Sequence, residues 1–314
     1  MIEDEVHPLP ALYRDPIHSY FFYTMTFISC VTNAIFMYIV NRNRDIGSYR
    51  YLLCIFSIND LFLSFVHMIA QPVVHMSAYG VWVFPRHATY FASSNGWLGI
   101  FLILCYAVAF YETFLLLAYH FLARWLFWKG TAWSLRRFIT LGVLYNIFYT
   151  SATVAILCWG LTPTPERRAL APVEVKRLYG VDLQDENIGF VCVISATYVP
   201  EDRMKVIITS LVILILFGST AIVTVICMIN VFKCVQSTAL GELTRNLQVQ
   251  LLTALLVQTA VPCILAYIPN TFLLLFPLTG LDAGFIGNFF MMCTAVFPAV
   301  DALLVMLLVG RFRK

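Results

Sequence analysis

From Val206 to Phe232 the chain reads VIITSLVILILFGSTAIVTVICMINVF, without one charged side chain. A helix needs about 20 apolar residues to cross the hydrocarbon core of a bilayer, and this stretch is longer than that. Working outward, the run extends over about 204–232, and others fall at about 19–40, 51–76, 92–122, 138–160, 249–276 and 285–309. Polar or charged segments separate them. The composition agrees: 61% of the 314 residues are apolar and 12% charged, with mean hydropathy +0.82. A soluble domain carries about 25% charged residues, so this chain has too little charge to cover a water-facing surface. The expected fold is an all-α integral membrane bundle of seven transmembrane helices. A polar segment over 1–18 precedes it, the longest connection runs over about 161–203, and a short tail occupies 310–314.

Charge placement orients the bundle. Short cytoplasmic loops carry an excess of Lys and Arg. Twelve of the twenty such residues (Arg42, Arg44, Arg50, Arg124, Lys129, Arg136, Arg137, Lys233, Arg245, Arg311, Arg313 and Lys314) flank the even-numbered side. The short segments of the opposite side hold only Arg14 and Arg86. The expectation is an amino terminus outside and a carboxyl terminus in the cytosol. The first eighteen residues are acidic, with Glu3, Asp4, Glu5 and Asp15. They lack the positive n-region of a cleavable signal, so the first run reads as a retained span. A net charge of +3 without a basic block gives no reason to expect nucleic acid.

Ionisable residues inside spans are costly and mark function by default. Three stand out: Asp60, Glu112 and Asp301. Counting helix rise from the inner ends, Asp60 lies roughly 13 Å deep, Asp301 roughly 12 Å, and Asn33 of span one roughly 10 Å. The shared depth predicts a polar core joining spans one, two and seven. Two carboxylates there require a cation, a donor or a shared proton. The core reads as a switch pocket, with sodium conceivable near Asp60 and Asp301, or as a hydrogen-bonded patch that ties helices together. Glu112 lies near the midplane and reads either as a cavity-facing group or as a hydrogen-bonded structural residue.

His67, Gln71 and His75 recur at four-residue intervals, which on a continuous helix places them on one face in the outer half of span two. Pro72, Pro262, Pro269 and Pro298 are expected to loosen spans two, six and seven. Cys192, in the long connection, and Cys105, about 15–20 Å below the surface of span three, are too far apart for an easy disulfide. No phosphate-binding glycine loop or paired-Cys metal spacing occurs, and no span interior offers a lysine for a Schiff base. Neither an enzyme nor a cofactor is expected.

Span six, Leu247-Gln248-Val249-Gln250-Leu251-Leu252-Thr253-Ala254-Leu255-Leu256-Val257-Gln258-Thr259-Ala260-Val261-Pro262, followed by Tyr267-Ile268-Pro269, resembles the corresponding signature of nematode serpentine chemoreceptors of the Str and Srj type. Ile46-Gly47-Ser48-Tyr49-Arg50-Tyr51-Leu52-Leu53, Gln71-Pro72-Val73-Val74-His75 and Phe297-Pro298-Ala299-Val300-Asp301 are similar to that family as well. The chain departs from the family pattern at Ala123-Arg124-Trp125, where Tyr-Arg-Tyr is common, and at Ala302-Leu303-Leu304, where Pro-Leu-Pro is usual.

The resemblance implies a G-protein-coupled fold and a chemosensory, olfactory-type receptor in the plasma membrane of a sensory neuron, in its cilium. Its partners would be a small-molecule ligand and a heterotrimeric G protein. On that reading His67, Gln71, Phe101 and Cys105, with Glu112, Tyr267, Asn270 and Asn288, are the ligand candidates. Asn33, Asp60, Asp301, Pro262 and Pro298 form the switch core. Arg124, Trp125, Arg136, Arg137, Lys233 and Arg245 face the G protein, or simply anchor loops. The competing class is a secondary transporter using Asp60, Glu112 and Asp301 as an ion relay. The odd span count and the lack of internal repeats argue against it.

Overall fold

The structure, a computed structural model, describes residues 10–43, 49–129, 135–194, 203–237, 249, 252–253, 255–257 and 259–308. Among the described residues, seven helices are long and apolar enough to cross a membrane. Spans one to four are α1 (Ile17–Arg42), α2 (Tyr49–Ala70), α3 (Trp97–Trp128) and α4 (Leu135–Leu161). Two short helices follow in the long connection, α5 (Pro165–Ala169) and α6 (Val173–Tyr179). Span five is α7 (Arg203–Ser237). Span six covers Leu255–Leu275; it contains a π-helical turn at Cys263–Tyr267 and ends in α8 (Ile268–Leu275). Span seven is α9 (Gly287–Leu308). Phe27, Phe148, Ile215 and Ile268 are among the large apolar side chains left exposed around the bundle, as lipid-facing surfaces require.

Span two departs from the sequence expectation. The apolar run to residue 76 is not one helix: α2 stops at Ala70, and β1 begins at Pro72. Proline lacks the N–H that a helix interior needs and its ring clashes with the preceding turn. Gln71 absorbs the change of direction at φ 41°. Pro72 therefore ends the helix instead of bending it, and His75 lies on a strand. His67, Gln71 and His75 do not share a helix face.

β1 (Pro72–Ser77) pairs antiparallel with β2 (Gly80–Pro85), which pairs with β3 (Val191–Ile194) from the long connection. Gly80, at φ 153°, makes the turn, a backbone region open mainly to glycine. The free edge of β1 is covered too: Met76 exchanges backbone hydrogen bonds with Gly284 at 2.8 and 2.7 Å. Loops from three places thus assemble one lid.

Both faces of this sheet are buried, and side chains alternate between them as the pleat requires. Val74, Met76, Val81, Val191 and Val193 join the core of the bundle. Val73, Trp82, Phe84, Cys192 and Ile194 point into a second core completed by Val175 of α6, Ala171, Leu183 and Phe190. The lid is consequently a small layered unit with its own apolar filling. Cys192 packs in that upper core and is not bonded to Cys105, which remains a half-buried thiol on α3.

The lid docks on α3 through glycine. A Cβ on Gly189 would lie 2.6 Å from the Ile100 nitrogen and 2.8 Å from Gly99 Cα, so the two backbones meet where no side chain fits. Arg168 organises the approach. Its guanidinium donates to the carbonyls of Leu183, Asp185 and Ile188 at 3.1, 2.8 and 2.9 Å and lies over the Phe190 ring.

Candidate functional site

The polar core predicted from depth is assembled. Asn33 Nδ2 donates to the Pro298 carbonyl at 3.1 Å and to the Ser29 carbonyl at 3.0 Å. Pro298 cannot donate a hydrogen bond itself and sits inside α9, so a span-one amide engages the carbonyl at the weakest point of span seven. Ser64 Oγ bridges the Asp60 carbonyl and Ser29 Oγ, both at 2.8 Å. Asp60 and Asp301 are each 1% exposed, and their carboxyl groups interact electrostatically. Both Asp60 carboxylate oxygens and Asn33 Oδ1 are buried without a hydrogen-bond partner. Oxygen atoms of this kind suit a hard cation. Among the described residues no group of three His, Cys, Asp or Glu suits a metal ion.

The ligand candidates divide. His67 lies beneath the lid, fully buried, its ring stacked on Phe22 at 5.6 Å and edge-on to Tyr106 at 5.0 Å. Thr294 of α9 approaches both His67 Nε2 and the Tyr106 hydroxyl at 3.4 Å. Gln71 is buried as well and accepts from Ser19 at 2.8 Å. Tyr267 belongs to the π-helical turn of span six. Its ring stacks on Phe217 of α7 at 3.7 Å, and its hydroxyl donates to the Phe217 carbonyl at 2.5 Å. Phe110, Tyr111 and Phe114 of α3 surround that stack. Asn270 lies one turn further along span six.

Three of the expected cavity residues are placed elsewhere. Phe101 is 53% exposed on the outer face of α3. Glu112 points to span four, where Asn146 and Thr150 both donate to its carboxylate. Asn288 is spent on the lid: its Oδ1 accepts the Val74 N–H at 2.9 Å and its Nδ2 donates to the Tyr179 hydroxyl at 2.9 Å. Cys105 is half-buried beside the main core.

At the opposite end of the bundle, Arg124 is 8% exposed and Trp125 packs against the core with Lys129 over its ring at 4.7 Å. Arg136, Arg137 and Lys233 are exposed. Arg245 lies outside the described residues, as does much of the span-six signature before Thr259.

Sequence reasoning missed Tyr179, Trp82 and Phe217. Tyr179 sits in a loop helix, yet it contacts His75 and Phe84 edge-on at 6.2 and 5.6 Å. Burial pushes its phenol up to about 12, even with Asn288 and Arg86 beside it. A signal for the sheet did exist. Val73-Val74 and Val81-Trp82-Val83-Phe84 flank Tyr79-Gly80, which are strand-forming runs around a turn.

Comparison with known proteins decides the family. The model of the serpentine type 7TM GPCR chemoreceptor Str matches residues 18–314. The chain belongs to this family. It is 22% identical over 303 residues to serpentine receptor class r-10 of Caenorhabditis briggsae, covering 93% of this chain and 86% of that protein. Serpentine receptor class J-38 of Caenorhabditis elegans is 27% identical over 299 residues, covering 91% and 89%. Squid rhodopsin superposes with a TM-score of 0.67 at 12% identity, over 98% of this chain and 85% of that one. That likeness establishes the rhodopsin-like seven-helix fold. This Str-family chain is a multi-pass membrane receptor and not an enzyme.

Proposed function

We propose that this receptor detects a small environmental molecule at its lid end, which faces outside, and signals through a heterotrimeric G protein at the other. The plasma membrane of a sensory neuron, at its cilium, is the site that fits such a role. One observation carries the reading: the buried Asp60–Asp301 pair beside the Asn33 contact to Pro298. These groups join spans one, two and seven at the point where span seven lacks a helix hydrogen bond. A buried carboxylate pair is satisfied differently in different packings, and a ligand that binds one packing better shifts the population toward it. The relatives named as serpentine receptors support the same reading. The twelve basic residues that the sequence puts in or beside the even-numbered loops support a cytosolic placement of the Arg124 end.

The test is G-protein activation in cells across a panel of volatile and soluble compounds, with surface expression measured in parallel. A compound that activates the wild type, while Arg124→Ala and Asp301→Asn reach the surface silent, is the expected result. The same carboxylate pair is what a transporter would use as an ion relay. Solute flux that Asp301→Asn abolishes, with no compound signalling, would replace receptor by transporter.

A further inference from the structure

Where the amino-terminal segment, the α2–β1 junction and the end of β2 meet, six polar side chains converge. Ser19 Oγ donates to Asp15 Oδ1 or Gln71 Oε1, each at 2.8 Å, and approaches His87 Nε2 at 3.5 Å. Arg86 is 7% exposed, reaches Asp15 Oδ2 through Nε alone at 3.2 Å and lies over the Tyr179 ring at 5.3 Å. Its Nη1 is buried without a partner. His18 is 1% exposed, within electrostatic reach of Arg86, Asp15 and His87, and neither ring nitrogen has a partner. A buried donor left unmade costs about 1–3 kcal/mol. Unused guanidinium and imidazole nitrogens within one electrostatically linked cluster therefore ask for an acceptor that the chain does not supply.

Asp15 supplies part of one. Its side chain is 40% exposed, so the cluster opens to solvent on that side. Desolvation raises its carboxyl, but the Ser19 hydroxyl and the Arg86 charge outweigh this and hold it below the usual carboxylate range. It engages Arg86 with one bond, where an Arg fork accommodates two.

We propose that Arg86 and His18 form a binding site for a small organic carboxylate, and that Asp15 occupies its edge as a built-in competitor. An incoming carboxylate takes the guanidinium fork at Nη1 and Nη2, where Nη1 is unpaired, and draws the guanidinium charge away from Asp15, which holds only Nε. His18 and Ser19 then serve the remaining acceptor positions. This names the ligand class for the receptor proposed above and rests on that reading for its consequence. Binding itself is measured without a G protein, so the two fail separately: a chain that binds and never signals overturns the receptor reading alone.

The experiment is thermal unfolding of the full-length chain in lipid nanodiscs, titrated with sodium hexanoate, methyl hexanoate or sodium chloride at matched ionic strength. Hexanoate should raise the unfolding temperature saturably, while ester and chloride do not. Arg86→Gln should weaken hexanoate roughly ten- to a hundredfold, the loss of a charge-assisted bidentate pair. Asp15→Asn should bind hexanoate several-fold tighter, because the competitor is neutralised. Equal shifts from the ester or chloride, or unchanged or weaker binding by Asp15→Asn, would overturn the proposal. Should Arg86→Gln fail to fold, ester discrimination and the Asp15→Asn gain still decide it.

Discussion

The Asn288 carboxamide accepts the Val74 N–H of β1 at 2.9 Å, pinning the first strand of the lid to the first turn of span seven. Gly287 beside it lets β1 approach, since a Cβ there would fall 2.8 Å from Val74 Cβ. The other end of the amide holds Tyr179 of α6. One side chain therefore connects span seven to both layers of the lid.

Asn288→Leu removes both bonds and leaves a buried strand N–H unsatisfied. A loss of about 1–3 kcal/mol is expected, with faster hydrogen exchange over residues 72–85. Asn288→Asp keeps the acceptor for Val74 and should retain more lid protection than the leucine variant. Equal protection in the two variants would refute the clamp.

Span six is held to span five by Tyr267. Tyr267→Phe keeps the ring stack on Phe217 and removes the bond to its carbonyl, so the stability cost should be about 0.6–1.5 kcal/mol. If span six must leave span five to open the cytosolic end, the same variant should raise basal G-protein activation. Unchanged basal signalling alongside the stability loss would confine Tyr267 to a structural role.

Acid should loosen the lid through His75. Burial holds its imidazole below the ordinary range, against the pull of Asp282 and Glu174. A value lower in the folded than in the unfolded chain means the stabilisation is complete above about pH 6.5. It is then lost as pH falls from there through the folded value. One proton sets an upper limit of about 1.4 kcal/mol per pH unit. Hydrogen exchange over 72–85 at pH 7.5 and 5.5 measures this, and His75→Phe should flatten the difference.

Sodium should stabilise the polar core. At a hundred times the dissociation constant a ligand confined to the folded state adds about 2.7 kcal/mol. The unfolding temperature should accordingly be higher in sodium chloride than in choline chloride, and Asp60→Asn should abolish the difference. A sodium effect that survives in that variant would place the cation elsewhere.

The spans were legible because lipid leaves few options: a backbone crossing hydrocarbon must satisfy its own hydrogen bonds, and an uncharged run such as Val206–Phe232 announces that directly. The polar core was legible because helix rise converts residue number into depth, which put Asn33, Asp60 and Asp301 at one level. Rise says nothing about rotation around the helix axis. Depth alone therefore does not reveal that Phe101 faces outward or that Glu112 bonds to span four. Residues 72–76 hid the sheet for a related reason. A strand buried on both faces is apolar throughout, and periodicity cannot separate it from a helix continuing past Ala70.

By itself, the order of residues determined the number of crossings, the uneven placement of Lys and Arg between them and the family they belong to. Only tertiary structure decided what each polar side chain meets. Asn288 became a lid clamp, and Arg86 and His18 were left with unused nitrogens beside Asp15. Those outcomes depend on loops more than a hundred positions apart along the chain, such as Met76 and Gly284, meeting over one end of the bundle. Local sequence carries hydrophobic burial and hydrogen-bond capacity, whereas the partner that satisfies each group is a property of the packing.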